Sequence, residues 1–191
     1  KILLVLNKKN FLENADINED DFIKFTLSPD NSLVPDLHNT LPGKSIWLPP
    51  NKALMRSILD GEEVKVHFGV SQLFTEDLVF LVQKILRKKI LDGISLSKKA
   101  GYLAIGLDAI KTQLMERKHC LVVVAKNAKS LKKYSLFSSN TISCFENLLY
   151  QKDLEKSTGK NNVKYVGILS KNFKKTIQED LNKLKGFMET D

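Results

Sequence analysis

The sequence predicts an α/β chain of two modules: a small α+β domain over residues 1–75, then a three-layer α/β/α sandwich over 76–191. Three observations carry this prediction. Beyond about residue 75, apolar β-branched runs alternate with stretches whose apolar residues recur every three to four positions. Before it, short strand-like runs are separated by turns containing Pro and Gly. Charge divides in the same place. Residues 1–80 hold 8 basic and 12 acidic residues and 81–191 hold 22 and 10, so the net +8 is a sum of −4 and +12. With 191 residues, 42% of them hydrophobic, the chain is long enough for two small cores.

In the first module, Phe22-Ile23-Lys24-Phe25-Thr26-Leu27 has strand composition. Ser28-Pro29-Asp30-Asn31 is a turn, and Leu33-Val34-Pro35-Asp36 returns as the second arm of a hairpin. Leu41-Pro42-Gly43-Lys44-Ser45 turns into a strand at Ile46-Trp47-Leu48, which Pro49-Pro50 ends. Asn51 is placed to cap a helix over about 52–60. Thr75 is the expected N-cap of a long helix reaching about Ala100, with Gly93 as its expected break. The second module then alternates. Its strands are expected at Tyr102–Ile105, Cys120–Ala125, Thr141–Phe145 and Val163–Leu169. Its helices are expected at Leu107–Arg117, Ser130–Phe137, Leu148–Ser157 and Asn172–Met188, with Gly159 as a C-cap.

Several function classes drop out. No apolar run approaches the roughly 18 residues that span a bilayer, so no membrane partner is expected. Lys1-Ile2-Leu3-Leu4-Val5-Leu6 has no small-residue cleavage site after it, and a start at Lys1 rather than Met leaves the true N-terminus open. Cys120 and Cys144 make no disulfide framework and no metal spacing, which suits a reducing, cytoplasmic compartment. No Walker A, dinucleotide fingerprint or nucleophile elbow occurs, so neither a cofactor nor an enzyme is expected. His38, His67 and His119 read as structural, and Asp20/Asp21 and Glu62/Glu63 as solvated charge.

The basic residues are 27 Lys and 3 Arg, a balance suited to phosphate more than to bidentate base reading. Lys88 and Lys99 share a face if the long helix is unbroken. Lys98 stands beside Lys99, and Lys126 and Lys129 follow the expected strand at Cys120–Ala125, with Lys132 and Lys133 beyond them. Ligand crevices in open α/β sheets favour such strand ends. The competing reading is a solvated lysine face.

Ile94-Ser95-Leu96-Ser97-Lys98-Lys99-Ala100-Gly101-Tyr102-Leu103-Ala104-Ile105-Gly106 resembles a segment of bacterial members of the L-seven-Ae ribosomal-protein superfamily. Leu121-Val122-Val123-Val124-Ala125-Lys126-Asn127-Ala128 and Leu154-Glu155-Lys156-Ser157-Thr158-Gly159-Lys160 resemble two further motifs of that superfamily. Upstream, Phe22–Phe25, Val34-Pro35-Asp36-Leu37 and Leu41–Leu48 resemble the YlxR family. Together, over roughly residues 15–188, the chain is similar to fused YlxR/L-seven-Ae proteins linked to transcription termination.

The resemblance implies a non-catalytic nucleic-acid-binding protein. Its expected partners are a structured RNA and the transcription or ribosome machinery, with roles in termination, antitermination or ribosome-linked RNA processing. The alternative is a protein-interaction adaptor on such a complex. It implies that Gly106 lets backbone approach RNA, while Asp108-Ala109 stand where the family's base-reading Asn-Glu would be. Asp108 lacks the amide donors of Asn, so phosphate contact through Lys98, Lys99, Lys111, Lys126 and Lys129 is expected over base reading. Gly101 and Gly106 also fit as plain turn and cap glycines. In the YlxR-like part, Lys44 replaces a loop Arg, and Trp47 is either core or a stacking surface for a base.

Overall fold

The computed structural model describes residues 22–75, 77–116, 120–131, 137 and 142–188. Across these the chain is mixed α/β, with six helices and two sheets. It divides into two compact units, Lys1–Ile85 with Lys183–Asp191, and Leu86–Asn182. The division lies inside the long helix, and Lys183–Asp191 groups with the first unit. The second unit carries 19 basic and eight acidic residues, a net of +11. The acidic stretch over 11–21, His119, Lys132 and Lys133 lie outside the described residues, as does most of the helix expected at Ser130–Phe137.

The first unit is built on β1 (Ile23–Leu27), β2 (Leu33–Pro35) and β3 (Ser45–Leu48), in the order β2-β1-β3 and antiparallel throughout. Alternation sends Ile23 and Phe25 inward to meet Ile46 and Leu48, and all four are fully buried. Ser28 closes the hairpin: its N–H donates to the Ser32 carbonyl at 2.9 Å and its hydroxyl to the same oxygen at 2.6 Å. Asp36 is buried after β2. It accepts from Lys24 Nζ at 2.8 Å and from the Thr40 and Leu41 N–H groups at 3.0 Å each. Burial pushes its carboxyl up. The Lys24 bond, the two backbone donors and the Lys24 charge outweigh that and hold it below its ordinary 3.8.

Asn51 caps α1 (Lys52–Leu59) as expected, its side chain accepting from the Leu54 N–H at 3.0 Å. A short helix that the periodicity did not announce, α2 (Glu62–Phe68), follows at once. Two acidic residues stand in its first turn, and it buries only Val64 and Phe68. The long helix α3 (Leu78–Lys99) starts three residues after Thr75, which is therefore not its N-cap; Asp77 precedes it at φ 54°.

Gly93 does not break α3, which corrects the expected interruption. A Cβ there would lie 3.0 Å from Ile177, so the missing side chain lets α3 approach α6 (Lys171–Gly186). Lys89 Nζ meets Asp180 across the same contact at 3.1 Å. The rest of the second unit is β4 (Leu103–Ile105), α4 (Leu107–Glu116), β5 (Cys120–Val124), β6 (Ile142–Glu146), α5 (Gln151–Thr158) and β7 (Tyr165–Ile168).

The four strands form one mixed sheet in the order β4-β7-β5-β6. β5 pairs with β6 in parallel, while β7 runs antiparallel to both β4 and β5. All five residues of β5 are buried, as a central strand covered on both faces requires. Cys120, Val122 and Val124 share a cluster with Ile110 of α4. On the other face, Ser143 donates to Gln178 of α6 at 3.1 Å. Gly167 completes the α4 contact, since a Cβ there would sit 3.0 Å from Ile110 and 3.2 Å from the Cys120 sulfur.

Candidate nucleic-acid interface

The strand directions gather several connections at one end of the second sheet. β4, β5 and β6 all terminate there, and β7 begins there. Such carboxyl ends form the usual ligand crevice of an open α/β sheet. From this end emerge Gly106 entering α4, the Lys126–Leu131 segment, the Asn147–Tyr150 segment and the approach to β7.

Side-chain and backbone bonds fix these segments to one another. Gly106, at φ 92°, donates its N–H to the Tyr165 carbonyl at 2.9 Å, and its own carbonyl accepts from Ile110 at 3.1 Å to begin α4. A side chain would be strained at that φ, so the sharp entry into α4 favours glycine. Tyr165 also donates its hydroxyl to the Lys129 carbonyl at 3.0 Å. One residue thus ties the start of α4 to the loop after β5. Glu146 holds the same loop by accepting from the Ser130 hydroxyl and the Leu131 N–H, both at 2.8 Å.

The exits of β5 and β6 are matched. Each turns through a left-handed asparagine, Asn127 at φ 65° and Asn147 at φ 64°. The Lys126 N–H donates to the Leu149 carbonyl at 2.8 Å, extending the parallel pairing past the strand ends. Leu148 and Leu149 are buried beneath. Above them the Lys126 ammonium lies 4.5 Å from the Tyr150 ring centroid. Lys126, Asn127, Tyr150, Gln151, Lys152 and Asp153 line an open cavity of about 480 Å³ at this point. In α5, Glu155 accepts from Gln151 and from the Asn162 N–H, both at 2.8 Å, and shapes the loop before β7. The Gln151 bond leads in holding the Glu155 carboxyl below its usual range.

The residues singled out from sequence fall into three sets. Gly106, Asp108, Lys126 and Lys129 come together at the sheet end just described. Asp108 is exposed in the first turn of α4, and Lys111, one turn further, is half-buried and already engaged. Lys98, Lys99 and Gly101 lie instead where α3 ends, before β4. Gly101, at φ 75°, donates to the Lys98 carbonyl, and Tyr102 donates to the Ser97 carbonyl, so Gly101 closes the helix as a cap. Lys98 Nζ donates to the Thr158 carbonyl and stabilises the C-terminus of α5. Lys88 and Lys99 are exposed and share a face of the unbroken α3, about 16 Å apart along its axis. Lys44 and Trp47 belong to the first unit. Lys44 is exposed and reaches the His67 carbonyl at 3.4 Å, and Trp47 is half-buried in β3 opposite Lys24.

A shallow groove of about 530 Å³ runs beside the edge strand β4, lined in part by Gly101, Ala109, Thr112, Gln113 and Lys160. Lys160 stands in the loop after α5 and was not among the residues selected by sequence, although its Gly159-Lys160 pair was. Tyr165 and Tyr150 were not selected either. Tyr150 was hidden because the apolar pair Leu148-Leu149 reads as the opening of a helix. The helix starts at Gln151, and Tyr150 is its N-cap residue.

The arrangement offers ammonium groups and an aromatic ring to a polyanion. Among the described residues no group of three or more His, Cys, Asp or Glu is placed to hold a metal ion. No helix of the described residues is long and apolar enough to cross a membrane. No protein-family model matches the chain, and no curated protein matches it significantly.

Proposed function

We propose that this chain is a non-catalytic RNA-binding protein whose interface lies on the second unit. On this reading the second unit is a three-layer α/β/α sandwich of L-seven-Ae type, preceded by a YlxR-like domain. The protein would then act on structured RNA in transcription termination or antitermination, or in ribosome-linked RNA processing. The observation that carries the reading is the convergence of Gly106, Lys126 and Lys129 at one end of a sheet within a unit of net charge +11. Phosphates supply most of the attraction in such contacts, and lysines without a forked geometry hold phosphate without reading bases.

A salt titration of binding to a structured RNA tests this. Affinity should fall log-linearly with salt, each neutralised phosphate adding roughly 0.7 to 0.9 to the slope. Replacing Lys126 and Lys129 by Ala together should lower the slope by about 1.5 to 2 and weaken all RNAs alike. Replacing Lys98, which is engaged by the α5 carbonyl, should change the slope less. Absence of binding at low salt overturns the reading.

A further inference from the structure

The Tyr150 ring, about half exposed, lies under the Lys126 ammonium. Tyr150 caps α5 through its backbone, with its carbonyl accepting from Asp153 and Leu154 at 3.1 and 3.2 Å. Its ring does no such work. It stands 52% exposed at the end of the sheet, while Leu148 and Leu149 beside it supply the buried anchor. Among the described residues, the ring–ring and cation–ring contacts of Tyr150 come down to the Lys126 ammonium 4.5 Å from its centroid. The position of that ammonium is itself built: the Lys126 N–H to Leu149 carbonyl bond sets the two strand exits in register. An exposed aromatic face is a costly way to hold a lysine, since such a pair contributes little in water. The same pairing is well suited to a nucleotide, whose base has an aromatic face and whose phosphate is an anion.

We propose that Tyr150 is a stacking platform for one unpaired nucleobase of a single-stranded RNA segment, with Lys126 receiving the adjoining phosphate. The inference rests on the reading of the second unit as an RNA interface and adds to it the substrate class. Stacked, base-paired nucleotides do not offer a free face to an exposed ring, whereas looped or single-stranded ones can. The cavity of about 480 Å³ around Tyr150 and Asn127 admits a single base. Stacking is indifferent to base identity, so this site selects strandedness and leaves sequence largely unread.

The test uses the full chain, with a labelled oligouridylate and a blunt RNA duplex as probes, each titrated over a range of salt. Tyr150→Ala should weaken oligouridylate binding by roughly five- to hundredfold, with the salt slope and duplex affinity unchanged. Tyr150→Phe should retain oligouridylate affinity within about twofold, because the ring and not the hydroxyl stacks. Lys126→Ala should lower the salt slope for both probes by about one. Circular dichroism of each variant checks that the second unit remains folded. The proposal is overturned if Tyr150→Ala binds oligouridylate like the parent, or if Tyr150→Ala and Tyr150→Phe lose the two probes equally. If the parent chain binds neither probe at low salt, the RNA-interface reading falls and the Tyr150 site falls with it.

Discussion

In the first unit Lys24 is half-buried and donates to Asp36 and to the Leu41 carbonyl, so its charge is consumed in fixing a loop. In the second unit Lys126 leans on an exposed ring, and Lys88, Lys99 and Lys160 are exposed with no ion pair among the described residues. Both units have a small sheet and a buried apolar core, yet they use lysine for different ends. Where a cation meets a buried carboxylate it defines the fold. Where cations stand exposed without an ion pair among the described residues, they leave a field that an external anion can answer. Net charge alone does not reveal this, since Lys98 belongs to the positive half and still serves as a helix-end partner.

The comparison can be broken most forcefully at the core that holds the second unit's strand ends in place. Ile110 is fully buried against β5 and Gly167, and Ile110→Ala should cost about 3 kcal/mol by leaving a cavity beneath α4. Chemical denaturation measures this, and RNA affinity should fall with it as the Gly106 turn loosens.

Slightly smaller is the loss of the first unit's ion pair. Asp36→Ala should remove about 2–3 kcal/mol, leaving Lys24 and two backbone donors without their acceptor, while binding to RNA stays unchanged. The parent's dependence on pH sharpens the point. Asp36 titrates below its unfolded value of 3.8 when folded. Its contribution is therefore complete above about pH 3.8 and is lost as pH falls below that. Denaturation of parent and Asp36→Asn at a series of pH values should show the gap between them closing in that window.

The smallest effect belongs to Tyr165→Phe, which deletes one hydroxyl bond to the Lys129 carbonyl. About 1 kcal/mol should be lost, with faster amide exchange confined to the loop after β5.

Much of the fold was legible because local chemistry and long-range packing agreed. Asn51 caps where its side chain predicts, the Ser28–Asn31 turn closes the expected hairpin, and the strands of the second unit lie within two residues of their expected bounds. The errors arise where an apolar or glycine residue answers to a tertiary neighbour. Gly93 reads as a helix break because its reason, Ile177, is distant in sequence. Leu148 and Leu149 carry helix-like spacing but anchor the end of β6, which misplaced the start of α5 and concealed Tyr150. Gly106, Lys126 and Lys129 were legible as candidates from motif and charge. The separation of Lys98, Lys99 and Gly101 from them, at the opposite end of β4, was not, because strand direction within a sheet leaves no local signal.

One buried group gives the second unit a chemical record of its own opening. Cys120 lies under α4 beside Gly167, and burial raises its thiol to about 11, against a smaller opposing pull from the charge of Lys174. Its thiolate fraction at neutral pH is therefore about a hundredfold below that of an ordinary cysteine. Alkylation or oxidation at this sulfur, only 1% exposed, requires the second unit to open around it. The unit thus carries a reporter whose modification rate follows the same opening that would dismantle the Gly106 end of the sheet.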